Sequence, residues 1–336
     1  VVAIFMGLTG SAEEIIKDRK ILKRETFLNL SWNSFLMSKV FVQFGISAIQ
    51  ALTFVLIGNS IIGISGMTAG YWLVLFSCWA NANMLALVIS DSFKNVVTIY
   101  ILIPFLVIPQ IILSGVLVKF EKLNPDISSP IEIPFYGEMI TARWGYEALA
   151  AEQFINNHYE RRFYNFDKSM SSSRFMKDYW YSKLKGNLDR IKTELEQGKR
   201  DDDFNNDLLL VSNEINKETR LMPGIKFEYS GMLTPEKITP EIAASAIDYV
   251  ETIKRYHIAL YNKANSLKDS LMTSLELADK QAFRNLKNNY FNTSLEENVT
   301  AKNETQKTIE YKGQLYQKLD PIYMNPEHKF IKAHFY

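Results

Sequence analysis

The sequence predicts an all-α protein: a fragment of a polytopic transmembrane helical bundle, followed by a mainly helical domain outside the cytoplasm. Three observations carry this. From Val40 to Ser90 the chain runs fifty-one residues without Asp, Glu, Lys or Arg, and from Asn95 to Val118 it does so again. Residues 119–336 hold 31 of the 38 Lys and Arg and 32 of the 37 acids, so the near-neutral total hides one apolar part and one solvated part. Within the solvated part, apolar residues recur at helical spacing for four heptads after Pro240.

A bilayer core about 30 Å thick takes roughly 20 apolar residues at about 1.5 Å each. The first uncharged run is long enough for two spans and the second for one, which places helices at about Lys39–Ile57, Thr68–Ile89 and Val96–Val118. Gly58, Asn59, Gly63, Ser65 and Gly66 supply turn chemistry between the first two. The opening Val1–Leu8 is apolar and then turns charged at Glu13, which reads as the tail of an earlier span. Val1 follows no initiator Met and no basic region, so the chain reads as a fragment without a signal peptide.

Orientation follows from the basic loops. Lys17, Arg19, Lys20, Lys23 and Arg24 precede the first complete span and Lys94 separates the next two, so the positive-inside rule puts both loops in the cytoplasm and everything after Lys119 outside it. Ser11 with Glu14 has the spacing of a capping box, and Ile15, Ile16, Ile21 and Leu22 alternate with charges. That pattern suits a short amphipathic helix beneath a membrane, and contact with lipid headgroups accounts for the charges equally well.

Polar residues inside the spans fall in stripes. Gln43, Ser47 and Gln50 share one helical face; Ser77 and Asn81 are four apart, with Asn83 beside them. Amides in hydrocarbon need a partner, so these residues either join helices or line a path for substrate. Pro104 and Pro109 each remove a backbone donor and predict a kinked third span with protein neighbours.

The basic segment Glu13–Glu25, three spans, Leu113-Ser114-Gly115-Val116-Leu117-Val118 and Arg143-Trp144-Gly145-Tyr146-Glu147-Ala148-Leu149 occur in an order that resembles the transmembrane domain of a G-subfamily (White-type) ABC exporter, a type-2 permease. Asn83-Met84-Leu85-Ala86-Leu87 fits the same pattern, and the resemblance covers roughly residues 1–155. It implies four parts: residues 1–38, a span end and coupling segment; 39–118, three spans; 119–155, a re-entrant segment; and 156–336, an inserted outer domain. The coupling segment would dock on a nucleotide-binding domain through Asp18, Arg19, Arg24 and Glu25. Val116 and Leu117 would form a hydrophobic gate, where Val replaces the first Leu of the family's pair. Gln43, Gln50, Asn81, Ile108 and Ile111 would border the substrate cavity, whose lining suits an amphipathic or lipid-like cargo. The missing parts would be the first and last spans and the ATPase domain, which alone would hold ATP and Mg. A second permease half in a homodimer, the lipid bilayer and an outer protein partner complete the implied partners. The Lys- and Asn-rich composition points to a bacterial inner (plasma) membrane.

Several chemistries find no motif here. There is no Gly-x-x-x-x-Gly-Lys-Ser/Thr and no Gly-x-Ser-x-Gly, so no catalytic residue is assigned. His158, His257, His328 and His334 are dispersed, which gives no metal site, and Cys78 alone can form no disulfide within the chain. The charge balance offers no nucleic-acid surface.

After residue 155 the sequence predicts helices at Ser172–Gln197 and Asp207–Thr219, and a long helix after Pro240. Its seam of Ala246, Val250, Ile253, His257, Leu260, Ala264, Leu267 and Leu271 suits a helical hairpin, with His257 as a core histidine or a pH-sensitive one. Ile225–Tyr229 reads as a short strand and Thr308–Tyr316 as a small hairpin around Gly313. Asn292, Asn298 and Asn303 open sequons, and Phe335-Tyr336 suits a membrane interface ahead of a final span. A rival reading is a membrane-anchored receptor or adhesion protein, in which the helical domain binds a ligand and the spans only anchor it.

Overall fold

The computed structural model describes residues 1–27, 31–115, 118, 120–124, 128–302 and 304–324. The expected gate pair Val116 and Leu117, the sequon at Asn303, His328, His334 and Phe335-Tyr336 lie outside the described residues. The chain is helical throughout apart from one two-stranded hairpin among the described residues. Its described residues divide into two compact units, Val1–Arg161 with Asn285–Asn292, and Arg162–Arg284 with residues 293–324.

The first unit is built from α1 (Val2–Ser11), α2 (Glu14–Phe27), α3 (Trp32–Ile62), α4 (Thr68–Ser92), α5 (Val96–Ile112), α6 (Phe135–Glu138) and α7 (Thr141–Ile155). Helices α3 and α4 are long and apolar enough to cross a membrane, and α5 is a shorter apolar helix of 17 residues. The third span was expected to reach Val118, but α5 stops at Ile112. Leu113 and Ser114 form a turn, and Gly115 takes φ +80°, a conformation that only glycine adopts readily and that ends the helix. At about 1.5 Å per residue α5 is about 26 Å long, close to the hydrocarbon thickness.

Helix α4 is the centre of this unit and packs against α1, α2, α3, α5 and α7. Half of its apolar window is buried, against 22% for α3, whose outward face carries Phe41, Ile49, Ile57 and Ile61 in the open. Ala51, Trp79, Ala82, Ala86, Ile99 and Ile103 form part of the shared core. The small residues let helix backbones come close, the usual way spans associate without a hydrophobic drive from water. Gly145 on α7 marks one such approach: a Cβ there would lie 2.7 Å from Cys78 Sγ on α4.

The second unit contains α8 (Tyr164–Arg174), α9 (Tyr181–Gln197), α10 (Asp202–Leu221), α11 (Pro240–Ala278), α12 (Lys280–Tyr290, whose last turns belong to the first unit), α13 (Thr293–Val299), and strands β1 (Thr308–Tyr311) and β2 (Gln314–Gln317). A π-helical turn, Phe175–Trp180, joins α8 to α9. Asp201 caps α10, accepting from the Phe204 N–H at 3.0 Å; Thr239 caps α11, with Pro240 in the first helical turn. The expected seam is buried from Ala246 to His257 and again at Ala264, but Leu267 is exposed, so the packed stem is shorter than four heptads. The expected strand at Ile225–Tyr229 is turn and coil; Phe227 instead packs its ring, tilted, against Tyr249 of α11. The expected hairpin is present, with Ile309 opposite Tyr316 and Glu310 opposite Leu315.

Candidate functional site: a latched amphipathic helix and the span core behind it

Helix α2 carries the basic segment singled out in the sequence. Its backbone N–H groups in the first turn lack partners within the helix and need an acceptor. Ser11 was expected to supply it, but Ser11 ends α1, is fully buried, and its hydroxyl meets no partner. Ser90, at the far end of α4, does the work: its Oγ accepts from the N–H of Ile15 and of Ile16, both at 3.1 Å. Beside it, Arg19 donates to the Asp91 carbonyl at 2.6 Å, placing a positive charge on the last turn of α4. Lys39, on the second turn of α3, bridges two carboxylates one turn apart on α2, Glu14 at 3.0 Å and Asp18 at 2.7 Å.

Of the four residues expected to contact an ATPase, Asp18 and Arg19 therefore turn toward the spans, while Arg24 and Glu25 are exposed. Lys17, Lys20 and Lys23 share that open side. Ile15 and Leu22, two turns apart, form the buried apolar edge, whereas Ile21 is exposed. Lys17 pairs with Glu13 at 2.6 Å, and this hydrogen bond pulls the Glu13 carboxyl below its ordinary range.

The amide stripes are divided in the same way. Asn83 is buried and donates to Ser47 Oγ at 2.6 Å and to the Gln43 carbonyl at 3.3 Å, which ties α4 to α3. Gln43 and Ser47 thus face another helix, while Gln50 is exposed. Trp72 adds a second tie, donating from Nε1 to the Ala48 carbonyl at 2.9 Å. Asn81 accepts from Thr141 Oγ1 at 3.1 Å and so holds the start of α7. Gln110 of α5 accepts from the Ala142 N–H at 2.9 Å, so α7, like α2, is capped by a side chain from a span rather than by its own flank.

Helices α1, α4, α5 and α7 border a cavity of about 450 Å³, lined by Ile4, Leu75, Cys78, Ile111, Ala142 and Tyr146 among others. Ile111 lines this cavity, whereas Ile108, about one turn earlier on α5, is half-exposed. The lining is mostly apolar, with Cys78, Ser114 and Tyr146 as its polar side chains. Among the described residues no group of three or more His, Cys, Asp or Glu could hold a metal.

Arg143, in the Arg-Trp-Gly motif, is fully buried. Its guanidinium donates to Glu138 at 2.7 Å, to Glu147 at 3.3 Å and to the Gly137 carbonyl at 3.1 Å, and it lies 4.0 Å from the Trp144 ring centroid. The planar fork satisfies several acceptors at once, which explains an arginine here. Ser90, Lys39, Gln110 and the burial of Arg143 were not singled out from the sequence. Only Lys39 left a signal: Glu14 and Asp18, four residues apart on one helix face, present two carboxylates that call for a shared cation.

Two apolar helices of spanning length, α3 and α4, joined by a buried amide and bordered by short helices latched to their ends, fit a membrane domain. Residues 1–151 match the family model of the ABC-2 type transporter, the permease domain of type-2 ABC transporters. Over residues 1–151 the chain is thus similar to the membrane-embedded component of ABC transporters. No curated protein and no solved structure matches the chain.

Proposed function

We propose that this chain is the permease portion of an ATP-driven exporter of the G-subfamily type, working as one half of a homodimer with a nucleotide-binding domain, fused or separate, on its cytoplasmic side. The observation that carries the reading is the two-faced α2. One face is fastened to α3 and α4, and the other leaves Lys20, Lys23, Arg24 and Glu25 open for a cytoplasmic partner. The ATPase would close on ATP and Mg, push on that open face, and drive the spans between inward- and outward-facing states. Val116 and Leu117 would gate the outer exit, and the helices after residue 155 would lie outside the cytoplasm as a cap or a dock for a protein partner. The basic loops support this orientation, and the Lys- and Asn-rich composition supports a bacterial inner (plasma) membrane.

The cheapest test is the coding sequence upstream of Val1 and its neighbours, where a P-loop ATPase is expected. Its absence from both the gene and its neighbours favours the receptor reading. In the complete transporter, Arg24→Glu with Glu25→Lys should leave ATP hydrolysis running while export stops following it. Export that still tracks hydrolysis in that variant removes α2 from the coupling role.

A further inference from the structure

We infer that Ser90 and Lys39 are positioning residues that make α2 and the cytoplasmic ends of α3 and α4 one mechanical body, so that a displacement of α2 reaches the spans undiminished. The inference rests on the reading of α2 as the ATPase-facing segment.

A short helix transmits a push only if its own end does not unravel first. The N–H groups of Ile15 and Ile16 lie at the end of α2 that meets the spans, and Ile15 and Ser90 are both buried. Water cannot replace a missing acceptor in that position, so the Ser90 hydroxyl is the group that keeps the first turn wound. One hydroxyl oxygen has two lone pairs and here serves two donors. The same oxygen belongs to α4, so winding α2 and fastening it to α4 are a single event.

Lys39 fixes the rotation of α2 about its axis. It holds Glu14 and Asp18 together, and a helix pinned at two points one turn apart cannot roll against α3. The Lys17–Glu13 pair reaches neither α3 nor α4, since Glu13 bonds Lys17 on α2 and Tyr100 on α5. Arg19, bonded to the Asp91 carbonyl, closes the contact on the α4 side. Together the contacts fix translation, rotation and winding of α2 relative to α3 and α4.

The test uses the complete transporter with its ATPase in lipid nanodiscs, with Cys78 as the only thiol. Cys78 sits on α4, lines the cavity and is 9% exposed, so its modification rate by N-ethylmaleimide reports how α4 is packed. Rates are compared without nucleotide and after trapping with ATP and vanadate, alongside hydrogen exchange at residues 15–17. The wild type should change its Cys78 rate severalfold on trapping. Ser90→Ala should speed exchange at the start of α2 by about fivefold, the loss typical of an N-cap, and bring the trapped and untrapped Cys78 rates together. Ser90→Thr, which keeps the acceptor, should restore the difference. Lys39→Gln leaves the cap intact and should also shrink the difference, so a Ser90→Ala chain that fails to fold does not end the test.

If Ser90→Ala and Lys39→Gln both keep the wild-type Cys78 response, the inference is overturned while the role of α2 stands. A wild type that shows no response to trapping instead overturns the reading of α2, and this inference with it.

Discussion

Two buried titratable groups in the second unit should cancel each other's pH dependence, and removing either should expose the other. Glu218 on α10 is 5% exposed, and burial pushes its carboxyl up to about 7 from 4.5, helped by Glu214 against the opposing charge of Lys217. His257 on α11 is 6% exposed, neither ring nitrogen has a partner, and burial lowers its pKa from 6.5 to about 4. Glu218 keeps a proton in the folded state that the unfolded chain has released, so its contribution is complete below pH 4.5 and is lost as pH rises through 7. His257 stays neutral where the unfolded chain takes up a proton, so its contribution is complete above pH 6.5 and is lost as pH falls toward 4. Integrated between pH 5 and 7, each group changes stability by about 2 kcal/mol, in opposite directions. The pair therefore flattens the profile. Glu218→Gln should gain about 2 kcal/mol relative to wild type on going from pH 5 to pH 7, roughly thirtyfold in amide protection; His257→Leu should lose a similar amount. The assay is hydrogen exchange of α10 and α11 amides in the whole chain, corrected for intrinsic rates and read as mutant minus wild type. A Glu218→Gln difference that is the same at both pH values means the carboxyl is already ionised, and the argument from burial is wrong.

Three further outcomes follow from packing in the first unit. Arg143→Ala should cost about 3 kcal/mol in thermal unfolding in detergent, because it empties the site of a fully buried side chain bonded to Glu138, Glu147 and the Gly137 carbonyl; Arg143→Lys should recover only part, lacking the planar fork. Gly145→Ala drives a methyl to 2.7 Å from Cys78 Sγ and should destabilise by about 1–3 kcal/mol, with Cys78→Ala restoring most of it; no rescue in the double variant would place the strain elsewhere. A double-mutant cycle of Asn83→Leu and Ser47→Ala should give a coupling of about 0.6 kcal/mol, the usual size for a hydrogen bond between spans, and a coupling near zero would rule out the contact.

The parts of this fold that were legible in the sequence depend on local period or on exclusion of charge. The uncharged runs gave α3 and α4 because no other solvent tolerates them, and alternation around Gly313 gave the hairpin. The misjudged parts depend on partners far away in the chain. Ser11 had the local spacing of a cap, yet the acceptor came from Ser90, which no window of a dozen residues contains. Ile225–Tyr229 had strand-like residues but no neighbouring strand to pair with, and packing of Phe227 on Tyr249 won. The π turn at Phe175–Trp180 left no mark either; at its end Trp180 Nε1 donates to Glu214 on another helix at 3.0 Å. In the candidate site, the amide stripes were recognised as stripes, but which amides meet helices and which stay open depends on helix rotation. That is why Gln43 and Gln50, equal in the sequence, part company in the structure.

The borrowed caps also impose an order on synthesis. Helices of 14 and 15 residues are marginal by themselves, so α2 and α7 become durable only when their acceptors arrive. For α7 the acceptor is already made: Gln110 precedes Ala142 by 32 residues. For α2 it is not, because Ser90 follows Ile15 by 75 residues, about 4–15 s of translation at ordinary rates. During that interval the basic segment has no wound first turn and no fixed face. Helix α2 thus waits for its acceptor whereas α7 finds its own already made, and α2 becomes durable only once the end of α4 has been synthesised.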